Sequence, residues 1–239
     1  MSPTGRRFSP PTDRSLARTA ALLLVTFAVL VDVLVMVGWV ITHPFEDAMA
    51  HENAVNRWFV DQRTSGLTGL GNIGTFIGQT LTGAVLLVVL GVVFAVWKRT
   101  WWPLVFVGVL DAGLGLFYLA GTTLDPRQRP PVHILQSGLV PDHSFPSGHT
   151  GTATGIAFAL AALLWAYTRV PAALLVVLVA IPVWTMLARL YIGAHHVSDV
   201  LTEFVLVSIW IWACARLLLP ARSAAPDRAA TRAEAATPA

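Results

Sequence analysis

Six long apolar runs dominate this sequence, and together they demand a bilayer as solvent. The runs fall near 19–42, 70–97, 102–124, 147–167, 170–190 and 197–219. Each supplies the roughly 20 residues that an α-helix needs to cross about 30 Å of hydrocarbon. Composition agrees: 55% of the residues are hydrophobic and 12% charged, against about 25% charged in an ordinary globular chain. The mean hydropathy of +0.66 and the nine Trp exclude a soluble single domain, a disordered chain and a collagen. A nucleic-acid-binding face is excluded as well. Of the sixteen basic residues only Lys98 is a lysine, and many sit in short polar segments between the apolar runs, where they read as topology signals. The lone cysteine, Cys214, rules out an intramolecular disulfide and a cysteine-based zinc site.

The second run is too long for one upright helix, and it begins with Gly69, Gly71, Gly74 and Gly78. The stretch from Gly69 to Gln79 is therefore expected to lie partly in the interface, with Leu81 to Trp97 as the span. Arg6, Arg7, Arg14, Arg18, Lys98, Arg99, Arg169, Arg216 and Arg222 all fall on one side of the alternating runs. That side is taken as the cytoplasm. Segments 43–69, 125–146 and 191–196 then face outward, and Arg57, Arg63, Arg127 and Arg129 are exceptions that call for local reasons. Arg6-Arg7, the first run and Ala48-Met49-Ala50 imitate a signal peptide, but a run of about 24 residues exceeds the 7–15 of a cleavable segment, which favours a retained anchor. The expected architecture is all-α: a polytopic membrane protein of six transmembrane helices with both termini cytoplasmic. Residues 1–18 form a cytoplasmic segment, 19–219 the six-helix domain, and 220–239 a cytoplasmic tail too poor in large apolar residues to fold.

Polar side chains at membrane depth are costly, so those at the outer ends of the runs ask for a function. Three clusters stand there: Arg127-Gln128-Arg129-Pro130-Pro131, Pro146-Ser147-Gly148-His149, and Arg189 to His195 with Asp199. Ser147 and Gly148 open a helix, whose exposed amides and dipole favour an anion. Arg127, Arg129 and Arg189 add guanidinium forks that match phosphate oxygens. His195 and Asp199 are four apart, a spacing at which the carboxylate can hold Nδ1–H and leave Nε2 as a nucleophile. His149 is a second imidazole, suited to protonating a leaving oxygen.

Each cluster has a plainer reading. Pro-Ser-Gly can be only a helix cap, arginines at span ends can be interfacial anchors, and His195, His196 and Asp199 could ligate a metal. The joint pattern favours phosphate chemistry, and three arginines beside a cation argue against a metal. Asp32, Asp111 and Glu203 read as polar groups turned into the bundle. Gly151 and Gly155 form a close-packing face, and Pro182 is expected to kink the fifth run.

With Pro146-Ser147-Gly148-His149 and Arg189-x5-His195-x3-Asp199 in place, the sequence resembles the type 2 phosphatidic acid phosphatase superfamily, here in bacterial form. That family carries Lys-x6-Arg-Pro, Pro-Ser-Gly-His and Ser-Arg-x5-His-x3-Asp on a six-helix core. The resemblance implies that His195 is the nucleophile, forming a phosphohistidine, with Asp199 as its orienting partner and His149 as the acid. Arg129, Arg189, Ser147 and Gly148 would hold phosphate, with no metal and no cofactor. Two positions depart from the pattern: Thr122 stands where the family has its lysine, and Ala188 where it has serine. Arg127 is the nearest residue able to restore the lost charge, so Arg127 and Thr122 are the remaining candidates for the phosphate site. The expected function is an integral plasma-membrane phosphatase that acts on a lipid phosphomonoester or polyprenyl diphosphate at the outer face. Membrane lipids are its surroundings, and nucleic acid is no partner. The alternatives are a non-catalytic lipid-phosphate binding or transport protein, and a lipid phosphotransferase.

Overall fold

The computed structural model describes residues 14–221. The first thirteen residues and the tail from 222 onward, including most of the segment expected to be disordered, lie outside the described residues. The chain begins with α1 (Leu16–Thr42), opened by Ser15, whose side chain accepts from the Arg18 amide. A short α2 (Glu46–Met49), a 3₁₀ turn (Ala50–Glu52) and α3 (Asn53–Asp61) follow. Next come α4 (Ser65–Ile77), α5 (Thr80–Lys98), α6 (Trp102–Leu124), α7 (Gly148–Tyr167), α8 (Ala172–Ile192) and α9 (Val197–Leu218).

Among the described residues six helices, α1, α5, α6, α7, α8 and α9, are long and apolar enough to cross a membrane. The over-long second run divides as its glycines predict. The α4 helix ends at Ile77, Gly78 and Gln79 form the break, and α5 supplies the span. Pro182 lies inside α8, which continues from Ala172 to Ile192.

The bundle buries a modest apolar core and turns the rest of its hydrophobic surface outward. Phe27 of α1 stacks on Phe117 of α6 with ring centroids 4.9 Å apart, and Trp210 of α9 packs edge-on to both. Leu34, Leu87, Phe106, Leu110 and Leu163 complete this centre. On the outside Leu24, Val25, Leu81, Val96, Val176 and Trp212 are exposed. Such a surface suits lipid and would drive aggregation in water. Two glycines show where the helices approach closely. A Cβ at Gly151 would run into the Glu203 carboxylate of α9, and one at Gly155 would lie 2.8 Å from a Leu114 methyl of α6. The close-packing face expected on α7 is therefore used against two different neighbours.

Of the three intramembrane carboxylates expected inside the bundle, Glu203 is buried and Asp111 half-buried, whereas Asp32 is exposed on the outer face of α1. The difference follows from helical phase: the buried stripe of α1 runs through Leu30, Leu34, Gly38 and Ile41, and Asp32 lies off it.

The segments 43–64, 125–147 and 193–196 meet at one end of the bundle. Arg127 reaches Asp199 there, and Asn56 reaches the His195 carbonyl. The three polar clusters of 127–131, 146–149 and 189–199 thus converge at one end of the bundle.

Candidate active site

The 125–131 loop brings the first cluster to the second through backbone pairing. The amide of Arg127 donates to the Asp142 carbonyl (2.8 Å), Arg129 to Pro141 (3.1 Å) and Ser144 back to Arg127 (3.0 Å). Pro126, Pro130 and Pro131 limit the conformations of this loop. Phe145, Pro146 and Ser147 then lead into α7, with Phe145 and Ser147 fully buried. Ser147 is the N-cap of α7, but its side chain caps no first-turn amide; its Oγ accepts instead from Thr150 Oγ1 (3.0 Å). The first-turn amides from Gly148 onward consequently have no intrahelical or side-chain partner, which makes this helix end an anion seat.

Three further polar atoms point to the same function. His149 Nε2, Arg189 Nε and Arg189 Nη2 are buried without a hydrogen-bond partner in the protein. Such orphans are rare in folded proteins and cost free energy unless something bound there satisfies them. Arg189 has no exposed surface, although its Nη1 is held by Gln136 Oε1 (2.6 Å) and Thr75 Oγ1 (3.3 Å). It lies at the C-terminal end of α8, where the helix dipole favours a cation, and its two free positions remain available.

His195 occupies the turn between α8 and α9. Gly193, with φ of +82°, makes that turn possible; it is a conformation that side chains with a Cβ rarely adopt. His195 Nδ1 lies 2.7 Å from the Ser144 carbonyl. A carbonyl only accepts, so Nδ1 carries the proton and Nε2 presents a lone pair. Burial is the largest influence on this imidazole, followed by the opposing pull of Asp199 and the push of Arg189 and Arg129, and its pKa is lowered to about 4. His195 is therefore neutral at physiological pH and fit to act as a nucleophile.

The sequence matches the description of the PAP2 superfamily over residues 99–222, just over half of the chain. The chain belongs to the PAP2 superfamily. It is accordingly a multi-pass membrane protein of a lipid phosphatase family. The fold of this PAP2 protein is similar to that in the crystal structure of the first transmembrane PAP2-type phosphatidylglycerolphosphate phosphatase from Bacillus subtilis. That likeness has a TM-score of 0.63 at 22% identity, covering 82% of this chain and 93% of the other. No curated protein matches in sequence.

The structure alters three of the expected roles. First, Asp199 Oδ2 lies 3.7 Å from His195 Nδ1, too far for the direct orienting bond that their four-residue spacing predicts. The carboxylate instead accepts from Ser144 Oγ (2.6 Å) and the His196 amide (2.8 Å), and so holds the two segments that flank the imidazole. Second, Arg127 is committed elsewhere. Its Nη1 donates to Asp199 Oδ1 and Ser198 Oγ, and its Nη2 to Glu52 Oε1 (2.6 Å). Three of its five N–H hydrogens are thereby used, and two carboxylates balance its charge. Third, the Thr122 hydroxyl donates to the Tyr118 carbonyl one turn back in α6 (2.8 Å).

Arg129 is also held in place, by the carbonyls of Val140 (2.9 Å), Ala194 (2.6 Å) and His143 (2.9 Å). These bonds leave one hydrogen on each Nη for a ligand. Burial lowers its pKa from the usual guanidinium value, and nearby Tyr118, Asp199 and Asp142 oppose that shift. Its cation stands close enough to act on His195.

Segment 43–64 contributes contacts that the sequence reading did not anticipate. Glu52 binds Arg127 and Ser198, Asn56 Nδ2 donates to the carbonyls of Leu190 (3.4 Å) and His195 (3.0 Å), and Arg63 donates to those of Tyr191 and Ile192. No helical periodicity signals them, because Glu52 ends the 3₁₀ turn, Asn56 lies in α3 and Arg63 follows the end of that helix. Arg63, Arg127 and Arg129, three of the four basic residues that depart from the expected charge asymmetry, thus have partners within the fold. A cavity of about 380 Å³ opens beside Arg127 and Arg129, lined also by Ile41, Met49, Asn53 and His196, but neither His149, His195 nor Arg189 lines it.

Proposed function

We propose that this PAP2 protein hydrolyses a lipid phosphomonoester or a polyprenyl diphosphate at the extracytoplasmic face of the cell membrane, through a phosphohistidine on His195 and without a metal. One observation carries the reading: the buried, unpartnered nitrogens of His149 and Arg189 stand with a neutral His195 at an uncapped helix N-terminus. A phosphoryl group supplies the acceptors that these donors lack. Both termini and the basic segments 99 and 169 lie in the cytoplasm on this reading, with residues 19–219 as the catalytic domain.

In the first step the His195 Nε2 lone pair attacks phosphorus and the bond from phosphorus to the lipid oxygen breaks. A proton on His149 passes to the departing oxygen. In the second step His149 takes a proton from water, the resulting oxygen attacks phosphorus, the P–N bond breaks and phosphate leaves. Arg189, Arg129 and the first-turn amides at Ser147 and Gly148 oppose the negative charge that gathers on the transferring group.

Phosphate release by detergent-purified protein, measured over a panel of lipid monophosphates and diphosphates with excess chelator, tests this. Release that persists with chelator and a ³²P label on His195 support it. Release abolished by chelator and restored by one divalent ion would overturn the metal-free mechanism.

A further inference from the structure

We propose that Glu52 is a positioning residue for phosphoryl transfer, acting through Arg127 and Ser198 on Asp199. This inference rests on the function proposed above. Glu52 stands in the outer segment between α1 and α4, outside the residues that match the PAP2 superfamily.

Both oxygens of its carboxylate are engaged. Oε1 accepts from Arg127 Nη2 (2.6 Å) and Ser198 Oγ (2.9 Å), and Oε2 accepts from the Ser198 amide (2.8 Å). Ser198 is the second residue of α9, so this amide has no intrahelical partner and lies at the positive end of the dipole. From there the bonds run inward. Arg127 Nη1 joins Ser198 Oγ (2.7 Å) to Asp199 Oδ1, and Asp199 Oδ2 gathers Ser144 Oγ and the His196 amide. The Ser144 carbonyl accepts from His195 Nδ1. Four segments distant in sequence therefore meet in one network that ends on the nucleophile.

The physical role of Glu52 follows from the shape of a guanidinium. Asp199 has no exposed surface and Arg127 has 9%. One carboxylate bound to one Nη leaves the planar fork free to pivot on a flexible stem. A second carboxylate on the other Nη fixes its plane. Without Glu52, Arg127 would retain a single ionic partner beside a cavity into which it can turn, and Asp199 would lose a fixed counter-charge. The side chains of the outer segment then serve the reaction, besides tying that segment to the bundle.

The test is a double-mutant cycle read by two measurements. Glu52→Gln keeps the shape of the side chain, but its amide cannot accept at both ends. Loss of an outer partner that orients a reacting group typically costs about 10- to 100-fold, and kcat should fall by that factor with KM changed less than about twofold. Affinity for orthovanadate, a tetrahedral phosphate analogue that becomes five-coordinate on a nucleophile, should weaken in parallel, and Glu52→Asp should recover part of both losses. In an Asp199→Asn background Glu52→Gln should add less than about a twofold further loss, because residues in one network do not act additively. A residue that merely staples the outer segment would cost the same in either background and would lower Tm instead.

Wild-type kcat in Glu52→Gln, or losses that multiply across the cycle, would overturn the proposal. Should Glu52→Gln not fold, Arg127→Lys replaces it in the same cycle, since an ammonium cannot bridge both carboxylates as the fork does. A wild-type protein that neither releases phosphate nor binds vanadate would overturn the underlying function and this inference with it. A fully active wild type with an unaffected Glu52→Gln overturns this inference alone.

Discussion

Arg189 and Arg127 look alike in sequence, each an arginine at the end of a span, yet their surroundings differ. Arg189 is enclosed at the end of α8, with one nitrogen held and two left unpartnered. Arg127, in the loop after α6, has both Nη groups occupied by Glu52, Ser198 and Asp199. A guanidinium whose charge is already balanced by two carboxylates is part of the scaffold. One kept buried with hydrogens to spare is built for a ligand, because leaving it unsatisfied otherwise costs free energy. What separates the two arginines is whether carboxylates already balance the charge, not where they fall in the chain.

The largest effect should come from the groups nearest phosphorus. His195→Ala is expected to abolish turnover, and His149→Ala to cost about 10²–10⁴-fold, the usual range for general acid catalysis. Single-turnover kinetics with a labelled lipid phosphate would measure both, and near wild-type rates in His195→Ala would refute the mechanism. Arg189→Ala should follow, with a loss in kcat of about 10²–10³-fold, the scale for removing a donor aimed at developing charge.

Arg127→Ala is the variant that separates the two arginines. Because Arg127 acts through Asp199, it should lower kcat by less than Arg189→Ala does. Adding Thr122→Lys should recover none of the loss, because Thr122 lies against its own helix. Recovery of kcat by Thr122→Lys in that background would return Arg127 to the phosphate site and break the comparison.

A smaller effect is expected from pH. Since His195 titrates at about 4, lower than an ordinary imidazole, protonation removes the nucleophile only as pH falls through that value. The acid limb of kcat/KM should therefore lie near 4 rather than at about 6.5, where an unperturbed histidine titrates. A limb at 6 or above would mean that burial does not govern this group.

The smallest perturbation is a label for topology. Gln136 is unsuitable because it holds Arg189, but Ser137 beside it is exposed. Ser137→Cys in a Cys214→Ala background should keep its activity and react with an impermeant thiol reagent from outside intact cells. Labelling only after lysis would reverse the proposed orientation.

What the sequence by itself determined is the part that depends on local chemistry. Twenty or so apolar residues in a row make a spanning helix wherever they fall, so five of the six spans could be placed almost directly. The glycine-rich break also located the divided second run at Gly78 and Gln79. The motif residues Ser147, Gly148, His149, Arg189, His195 and Asp199 were legible because their spacing is short and their chemistry specific. Tertiary structure decided what each polar atom is bonded to. The carbonyl that sets the tautomer of His195 belongs to Ser144, 51 positions away, and no spacing along one helix can reveal it. The partners of Arg127 come from Glu52 and Asp199, 75 and 72 positions away. Asp32 faces outward because of the phase at which α1 docks, which a composition or a motif does not encode. Hydrogen bonds are short and directional. A residue type therefore states only what it can donate or accept, and the fold alone selects the partner.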